Sequence, residues 1–450
     1  VIFEPEFETM EVGRLKKLQE ERLNALIAYL WENSPFYKEA LSVAKADAWR
    51  GVSLEQLASL PFTYKKDLAE NYPLGLLAVP REEIVRIHAS SGTTGKPTVV
   101  AYTQSDMDIF ARVVARSLAM GGARPGFTLH NAYGYGLFTG GLGLDAGGMA
   151  LGMAVVPASG GMTQRQVTLI EDLKPEVLSS TPSYALTISQ ELARRGIAPE
   201  DNGLRYAIVG AEPWTESMRA EIDSTLGVQC TNIYGLSEII GPGVANECIE
   251  ERQGSHIQED HFLPEVVDPE TKEPLEDGKE GVLVLTTLTK KAMPLLRYWT
   301  GDITSLSHEP CSCGRTLARM SQIKGRVDDM LIIRGVNLYP TQVGEVLGRI
   351  PELSPHFGLV VSREGTLDEL EVRVEITEEF FGALAIEMLS EETVEAEHAL
   401  RSLRDRTRAL LKDSLGVTAT VTLLRPGDGP RSEGGKLSRV EDRRNIAKKH

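Results

Sequence analysis

Ser90-Ser91-Gly92-Thr93-Thr94-Gly95-Lys96-Pro97-Thr98 lies between two apolar stretches, Ile84-Val85-Arg86-Ile87 and Val99-Val100-Ala101-Tyr102, which read as strands. Small residues let a backbone pass close to a ligand, and glycines supply the dihedrals that a close approach needs. Clustered amides and hydroxyls then donate to phosphate oxygens, and Lys96 adds a point charge. The plain alternative is a hairpin turn, but a hairpin needs only two or three such residues. A phosphate loop is the better reading. It is not the common nucleotide P-loop, which places Gly-Lys-Ser/Thr at the start of a helix; here Pro97 follows Lys96 and the flanks are strands.

Working outward, 450 residues exceed one compact core, so two or more domains are expected. The formal net charge of -16 disfavours nonspecific binding to nucleic acid or an anionic membrane. An anionic ligand at the loop must therefore meet local positive charge and a divalent metal. No apolar run is long enough to span a bilayer, and Val1-Ile2-Phe3-Glu4-Pro5 has no secretory character, so a cytoplasmic location is expected. Four cysteines in so long a chain make no disulfide framework.

Residues 1–80 read as mostly helical. Leu15, Leu18, Leu23, Leu26, Ile27 and Leu30 form a core stripe between Met10 and Asn33, which Pro35-Phe36-Tyr37 ends. From Thr128 to Glu238 strands alternate with helices, the signature of a parallel, helix-flanked sheet. In such sheets ligands sit beyond the carboxyl ends of the strands. The loops after Val209 and Ile233 lie there, and they hold Glu212 and Glu238. Between Gly254 and Ser307 short strands and acidic turns predict an antiparallel sub-barrel. Near residue 326 the texture changes to a smaller α+β region, and acid-rich Thr377 to Glu397 reads as a solvated helical insertion. The expected fold is thus α/β, with a large N-terminal domain over 1–327 and a small α+β C-terminal domain over 328–450.

Four further motifs follow the loop in order: Tyr234-Gly235-Leu236-Ser237-Glu238, Tyr298-Trp299-Thr300-Gly301-Asp302, Gly325-Arg326-Val327-Asp328-Asp329 and Gly434-Gly435-Lys436. Together they resemble the acyl-adenylate-forming superfamily over nearly the whole chain. Within it, Tyr133-Gly134-Tyr135-Gly136-Leu137-Phe138-Thr139-Gly140-Gly141, Gly210-Ala211-Glu212-Pro213, Ile240-Gly241-Pro242-Gly243-Val244 and Met330-Leu331-Ile332-Ile333-Arg334-Gly335 resemble phenylacetate–CoA ligases.

The resemblance implies ATP-dependent activation of a carboxylic acid to an acyl-adenylate, then displacement of AMP by the thiol of coenzyme A. It implies that Lys436 is the catalytic lysine on a mobile small domain, bridging carboxylate and α-phosphate oxygens. Ser90, Ser91, Gly92, Thr93, Thr94, Gly95 and Lys96 are expected to cradle the β- and γ-phosphates. Glu238 is the expected Mg²⁺ ligand. Tyr234, with Gly235 and Ser237, is expected against adenine, with Glu212 at its edge. Asp302 and Arg326 are expected on ribose or phosphate, and Asp328 at the hinge. Tyr133, Tyr135, Gly136, Phe138, Gly141, Asp145, Ala211 and Pro242 are expected to line the acid pocket.

Two departures matter. Trp299 replaces the basic residue usual before Thr-Gly-Asp, so that position's phosphate or ribose contact is not expected here. Asp145 and Ala146 stand where these ligases more often have a histidine and an aromatic. A carboxylate beside an aryl site is costly unless paired; it accepts either from a local protein group or from an amino or hydroxy group on the substrate ring. The second option predicts an amino- or hydroxy-substituted aryl acid.

Cys248, His256, Cys311 and Cys313 form a Cys₃His set suited to structural Zn²⁺, with His261 and His308 as alternative fourth ligands; some relatives in the resembled family carry zinc here. Cys230 reads as core. Two other functions compete with the CoA ligase. One is a stand-alone adenylating enzyme that loads a carrier protein or an amine. The other is a silent nucleotide-binding regulator, against which Lys436 and Glu238 argue. Oligomeric state is not legible, a homodimer being one candidate.

Overall fold

Five strands between residues 128 and 236 build the sheet that carries the site. The computed structural model describes residues 1–43, 51–90, 97–334, 336–364, 367–384, 386, 388–431 and 439–444. Thr128–Asn131, Ala154–Val156, Val177–Ser180, Tyr206–Gly210 and Gln229–Leu236 pair in parallel. Parallel neighbours need crossovers. Helices Thr139–Leu151, Thr163–Leu173, Pro182–Arg194 and Glu216–Leu226 fall in the intervals between those strands. Because helices cover the sheet, its inner strands are apolar or small on both faces, and Val177–Ser180 is buried throughout.

The sheet changes direction where Gln229–Leu236 meets Gly241–Glu247 in antiparallel register. A Cβ at Gly235 would lie 1.9 Å from the Gly241 carbonyl oxygen, so only glycine lets these backbones meet. The antiparallel texture expected after Gly254 is present, and it divides. Phe262–Val267, Gly281–Thr287, Tyr298–Thr304 and Gly325–Arg326 form a four-stranded sheet, while Ser255–Ile257, Leu306–Ser307 and Arg319–Met320 extend the large sheet to nine strands.

The opening stretch sits between two strands, as expected. Arg86–Ser90 and Thr98–Tyr102 pair antiparallel with Ser90 opposite Thr98. Ser91, Gly92, Thr93, Thr94, Gly95 and Lys96 lie outside the described residues. Helix Val12–Asn33 buries Leu15, Leu23, Leu26, Ile27 and Leu30. Pro35 does not simply end it: the extended Ser34 breaks the helix, and Pro35 opens a second one, Pro35–Val43. Proline costs nothing there, because a first-turn amide has no helical acceptor.

Beyond residue 330 a separate core gathers Leu331, Val343, Phe357, Val372, Leu403 and Val421, among others. Its sheet runs Ala419–Leu424, Leu367–Ile376, Leu353–Glu364, Val440–Asp442, and helices Pro340–Leu347 and His398–Leu415 accompany it. The acid-rich segment forms short helices Glu378–Ala383 and Glu391–Ala396, with Phe380 and Phe381 against the core. This region packs close to the large one at the start of helix Glu216–Leu226, where a Cβ at Gly348 would lie 2.5 Å from Ser217 Oγ. Among the described residues no helix is long and apolar enough to cross a membrane.

Candidate active site

Three motifs distant in sequence converge beyond the carboxyl end of Gln229–Leu236. The Tyr234 hydroxyl donates to Asp302 Oδ2 at 2.6 Å, and Arg326 Nη1 donates to Asp302 Oδ1 at 2.7 Å. Asp302 and Arg326 face each other in strand register. Arg326 also donates through Nη2 to the Thr300 carbonyl and through Nε to Asp328 Oδ1 at 2.9 Å. Burial raises the Asp328 carboxyl, but the Arg326 hydrogen bond and charge outweigh it and hold the group below its usual range. Trp299 points elsewhere. Its ring meets Phe62 edge-on at 5.6 Å and carries Lys272 Nζ 3.7 Å from its centre, so it does not replace the usual basic contact.

The two loop glutamates have different surroundings. Glu212 is buried, and its Oε1 accepts from the Ser183 amide at 2.6 Å, at the N-terminus of helix Pro182–Arg194. Its neighbour Ala211 is exposed with φ of 72°. Glu238 is buried on the turn after Leu236, and that turn is pinned from three sides. Lys290 Nζ donates to the Glu238 carbonyl at 2.9 Å, the Tyr102 hydroxyl donates to the Ile240 carbonyl at 2.9 Å, and Ser237 Oγ meets Thr139 Oγ1 at 3.1 Å. Burial lowers the Lys290 ammonium to about 8, against the carboxylates of Asp106 and Glu238, which favour its charge.

Residues expected at the acid pocket form a second wall. Asn131 Nδ2 donates to the Tyr135 hydroxyl at 2.8 Å and to the Gly141 carbonyl at 2.8 Å; the Tyr135 hydroxyl donates onward to Asp145 Oδ1 at 3.1 Å. Burial first, then the Asp145 charge, raises the Tyr135 phenol, so it stays a donor. Glycines set the shape here. A Cβ at Gly141 would lie 2.5 Å from the Gly134 carbonyl oxygen, and one at Gly143 would lie 3.0 Å from Pro242 Cγ. Tyr133 is buried, whereas Gly136, Leu137 and Phe138 form an exposed rim.

Away from both walls, Cys248, His256, Cys311 and Cys313 place one ligand atom each within 4.8 Å of one another. Cys248 Sγ and Cys311 Sγ are 3.6 Å apart, and Cys313 Sγ is 3.4 Å from His256 Nε2. His256 Nδ1 donates to the Leu317 carbonyl at 3.1 Å, which leaves Nε2 as the ligand atom. Hydrogen bonding to Cys248 and then to His256 holds the Cys313 thiol low. The alternatives drop out: His261 bonds Thr289, and His308 bonds Asp277. Cys230 is core, as expected.

Lys436 lies outside the described residues. Of the remaining expectations, Tyr234, Asp302, Arg326 and Asp328 share one network and Tyr135, Gly141 and Asp145 another, while Glu212 bonds the Ser183 amide and the Glu238 carbonyl takes Lys290. Sequence reasoning passed over Asn131 and Lys290. Asn131 gives no motif signal. Lys290, beside Lys291, reads as surface charge, and only the apolar Ala292-Met293-Pro294-Leu295-Leu296 run after it hints at burial.

With this geometry in place, comparison with known proteins defines the class. The family described as AMP-binding enzyme matches residues 16–289, and the AMP-binding enzyme C-terminal domain matches residues 335–444. The protein is an AMP-forming acid–thiol ligase. The phenylacetate-coenzyme A ligase of Thermus thermophilus is 64% identical over 444 residues, covering 99% of this chain and 100% of the relative. That of Escherichia coli K12 is 46% identical over 440 residues, covering 98% and 97%. The chain belongs to the phenylacetate–coenzyme A ligase family. Among solved structures, 2-hydroxyisobutyryl-CoA ligase in the postadenylation state with 2-HIB-AMP is 28% identical, covers 99% of this chain and 93% of its own, and superposes with a TM-score of 0.90. The same enzyme in the thioesterification state with CoA gives 0.71 at 29% identity and the same coverage.

Proposed function

We propose that the protein joins an aryl acid to coenzyme A in two steps. The carboxylate attacks the α-phosphate of ATP and releases pyrophosphate; the thiol of coenzyme A then attacks the acyl carbon and releases AMP. The observation that carries this reading is Asp302, held between the Tyr234 hydroxyl and the Arg326 guanidinium at the carboxyl edge of the sheet. A fixed carboxylate there accepts from ribose hydroxyls, with Tyr234 against adenine. Ser90 to Lys96 would hold the phosphates that leave. Lys436 would neutralise the two anions that must approach each other.

Glu238 would hold Mg²⁺, a hard oxygen donor for a hard cation that neutralises phosphate charge. Lys290 and Tyr102 fix the turn that presents it. Asp328 is the proposed hinge and 327/328 the proposed domain boundary, a reading supported by the separate core that starts at Leu331. Zn²⁺ is the proposed occupant of the Cys₃His cluster, whose donor set and pinned imidazole fit a closed structural site. Four free thiols fit a reducing, cytoplasmic compartment.

For the acid, Asp145 supports an amino- or hydroxy-substituted ring: Oδ1 takes the Tyr135 hydroxyl, and Oδ2 takes no hydrogen bond among the described residues. A second reading, unsubstituted phenylacetate, is favoured by the names of the relatives. A pyrophosphate-release screen over substituted benzoates and arylacetates tests both. Turnover of plain phenylacetate equal to or above that of every amino- or hydroxy-substituted acid removes the first. AMP release that does not depend on coenzyme A removes coenzyme A as acceptor and points to a carrier protein or amine.

A further inference from the structure

The small domain contacts the large one at helix Glu216–Leu226. Arg439 belongs to the small domain. Its Nη1 donates to the carbonyls of Pro355 at 3.3 Å and Phe357 at 3.2 Å, and its guanidinium carbon lies 4.5 Å from the centre of the Phe357 ring. Nη2 reaches across to Met218 Sδ, 4.0 Å away on the large-domain helix. Burial works against the Arg439 charge, and the Glu212 carboxylate on the site loop works for it. A desolvated cation of one domain therefore sits in the field of a site carboxylate of the other, where attraction is screened least.

This seam is the one present when the chain matches the postadenylation arrangement of the 2-hydroxyisobutyryl-CoA ligase, with a TM-score of 0.90 against 0.71 for the thioesterification arrangement.

We propose that Arg439 is a positioning residue that holds the small domain in the arrangement used for acyl-adenylate formation, seated against Met218. The inference rests on the two-step reaction proposed above.

The test separates the half-reactions. Arg439→Met keeps the apolar stem and removes the charge. Acid-dependent exchange of pyrophosphate into ATP falls about tenfold, while thioester formation from supplied phenylacetyl-adenylate and coenzyme A stays within about twofold. Arg439→Lys, which keeps the charge but loses the two-carbonyl fork, shows a smaller split in the same sense; it carries the test if the methionine variant does not fold. Equal losses in both half-reactions, or none, overturn the proposal. Amide hydrogen exchange along Glu216–Leu226 rises in Arg439→Met whatever the substrate, and unchanged protection overturns it too. If wild-type protein exchanges no pyrophosphate with any aryl acid, the two-step reading fails, a result distinct from any loss confined to the variants.

Discussion

Around Asp302 every side chain is tied to another by charge or a short hydrogen bond: Tyr234 on one oxygen, Arg326 on the other, Asp328 behind Arg326. Around Gly141 the wall is held differently. One asparagine fixes a phenol and a carbonyl, and the rest is backbone packed too closely for a side chain. The first wall, proposed for the nucleotide, depends on charges that must stay paired. The second, proposed for the acid, depends on volume. A nucleotide is the same in every turnover, so fixed partners cost no versatility; an acid pocket is defined by the space it leaves.

Several variants would sharpen or break this contrast. The largest effect belongs to neither wall: Lys436→Ala lowers adenylate formation by about a hundredfold or more with ATP binding retained, as expected for a charge acting on the transition state. Unchanged pyrophosphate release rejects the role. Next, Asp302→Asn takes the carboxylate from Arg326 and Tyr234 and leaves Arg326 on Asp328 and the Thr300 carbonyl; losing a hydrogen bond to a charged group costs about 1.5–3 kcal/mol, so KM for ATP rises by about tenfold while KM for the acid moves little. Equal change in both constants would mean that the network supports the fold rather than the nucleotide. Gly141→Ala has the complementary signature, a fall in kcat/KM for the acid of about tenfold from overpacking, with ATP binding within about twofold. A normal acid KM in that variant breaks the volume argument.

Chelation of the zinc proposed for the Cys₃His cluster, or Cys311→Ser, lowers Tm by about 5 °C without changing KM for either substrate, since the cluster shares no residue with either wall. Metal analysis that finds no zinc stoichiometry and no dependence on Cys311 rejects the site. The smallest effect is with pH. The Asp328 carboxyl lies below the ordinary carboxylate range, burial raising it and Arg326 lowering it further. A depressed value contributes above the unfolded pKa and is lost only as pH falls through the folded one. The contribution of Asp328 to folding stability therefore stays constant between about pH 7 and 5. A titration midpoint inside that window breaks the picture of a charged, permanently paired wall.

The residues of the first wall were named through the resemblance: the motifs around Asp302 and Arg326-Val327-Asp328 carry it, and local charge alone gave none of them a role. The parallel sheet was legible from alternation alone. Less could be read where the decisive contact is distant. Asp145 gave two possible partners, and only folding brings the Tyr135 hydroxyl to it across one turn of helix. Lys290 looks solvated in the sequence and is buried against Tyr102. Arg439 shows no sign in the chain that it spans two domains. Pro35 misled for another reason: proline both stops and starts helices, and the break at Ser34 decides which.

The rim at Gly136, Leu137 and Phe138 has a consequence for change over time. Nothing lies within 4 Å of a Cβ built at Gly136, and the two residues after it, Leu137 and Phe138, are exposed. A side chain at Gly136 meets no packed neighbour, whereas Gly235 and Gly141 leave room for none. Variation at the mouth of the acid pocket is thus decoupled from variation in its floor. A library confined to the rim would redraw the range of acids admitted while leaving the scaffold's folding untouched.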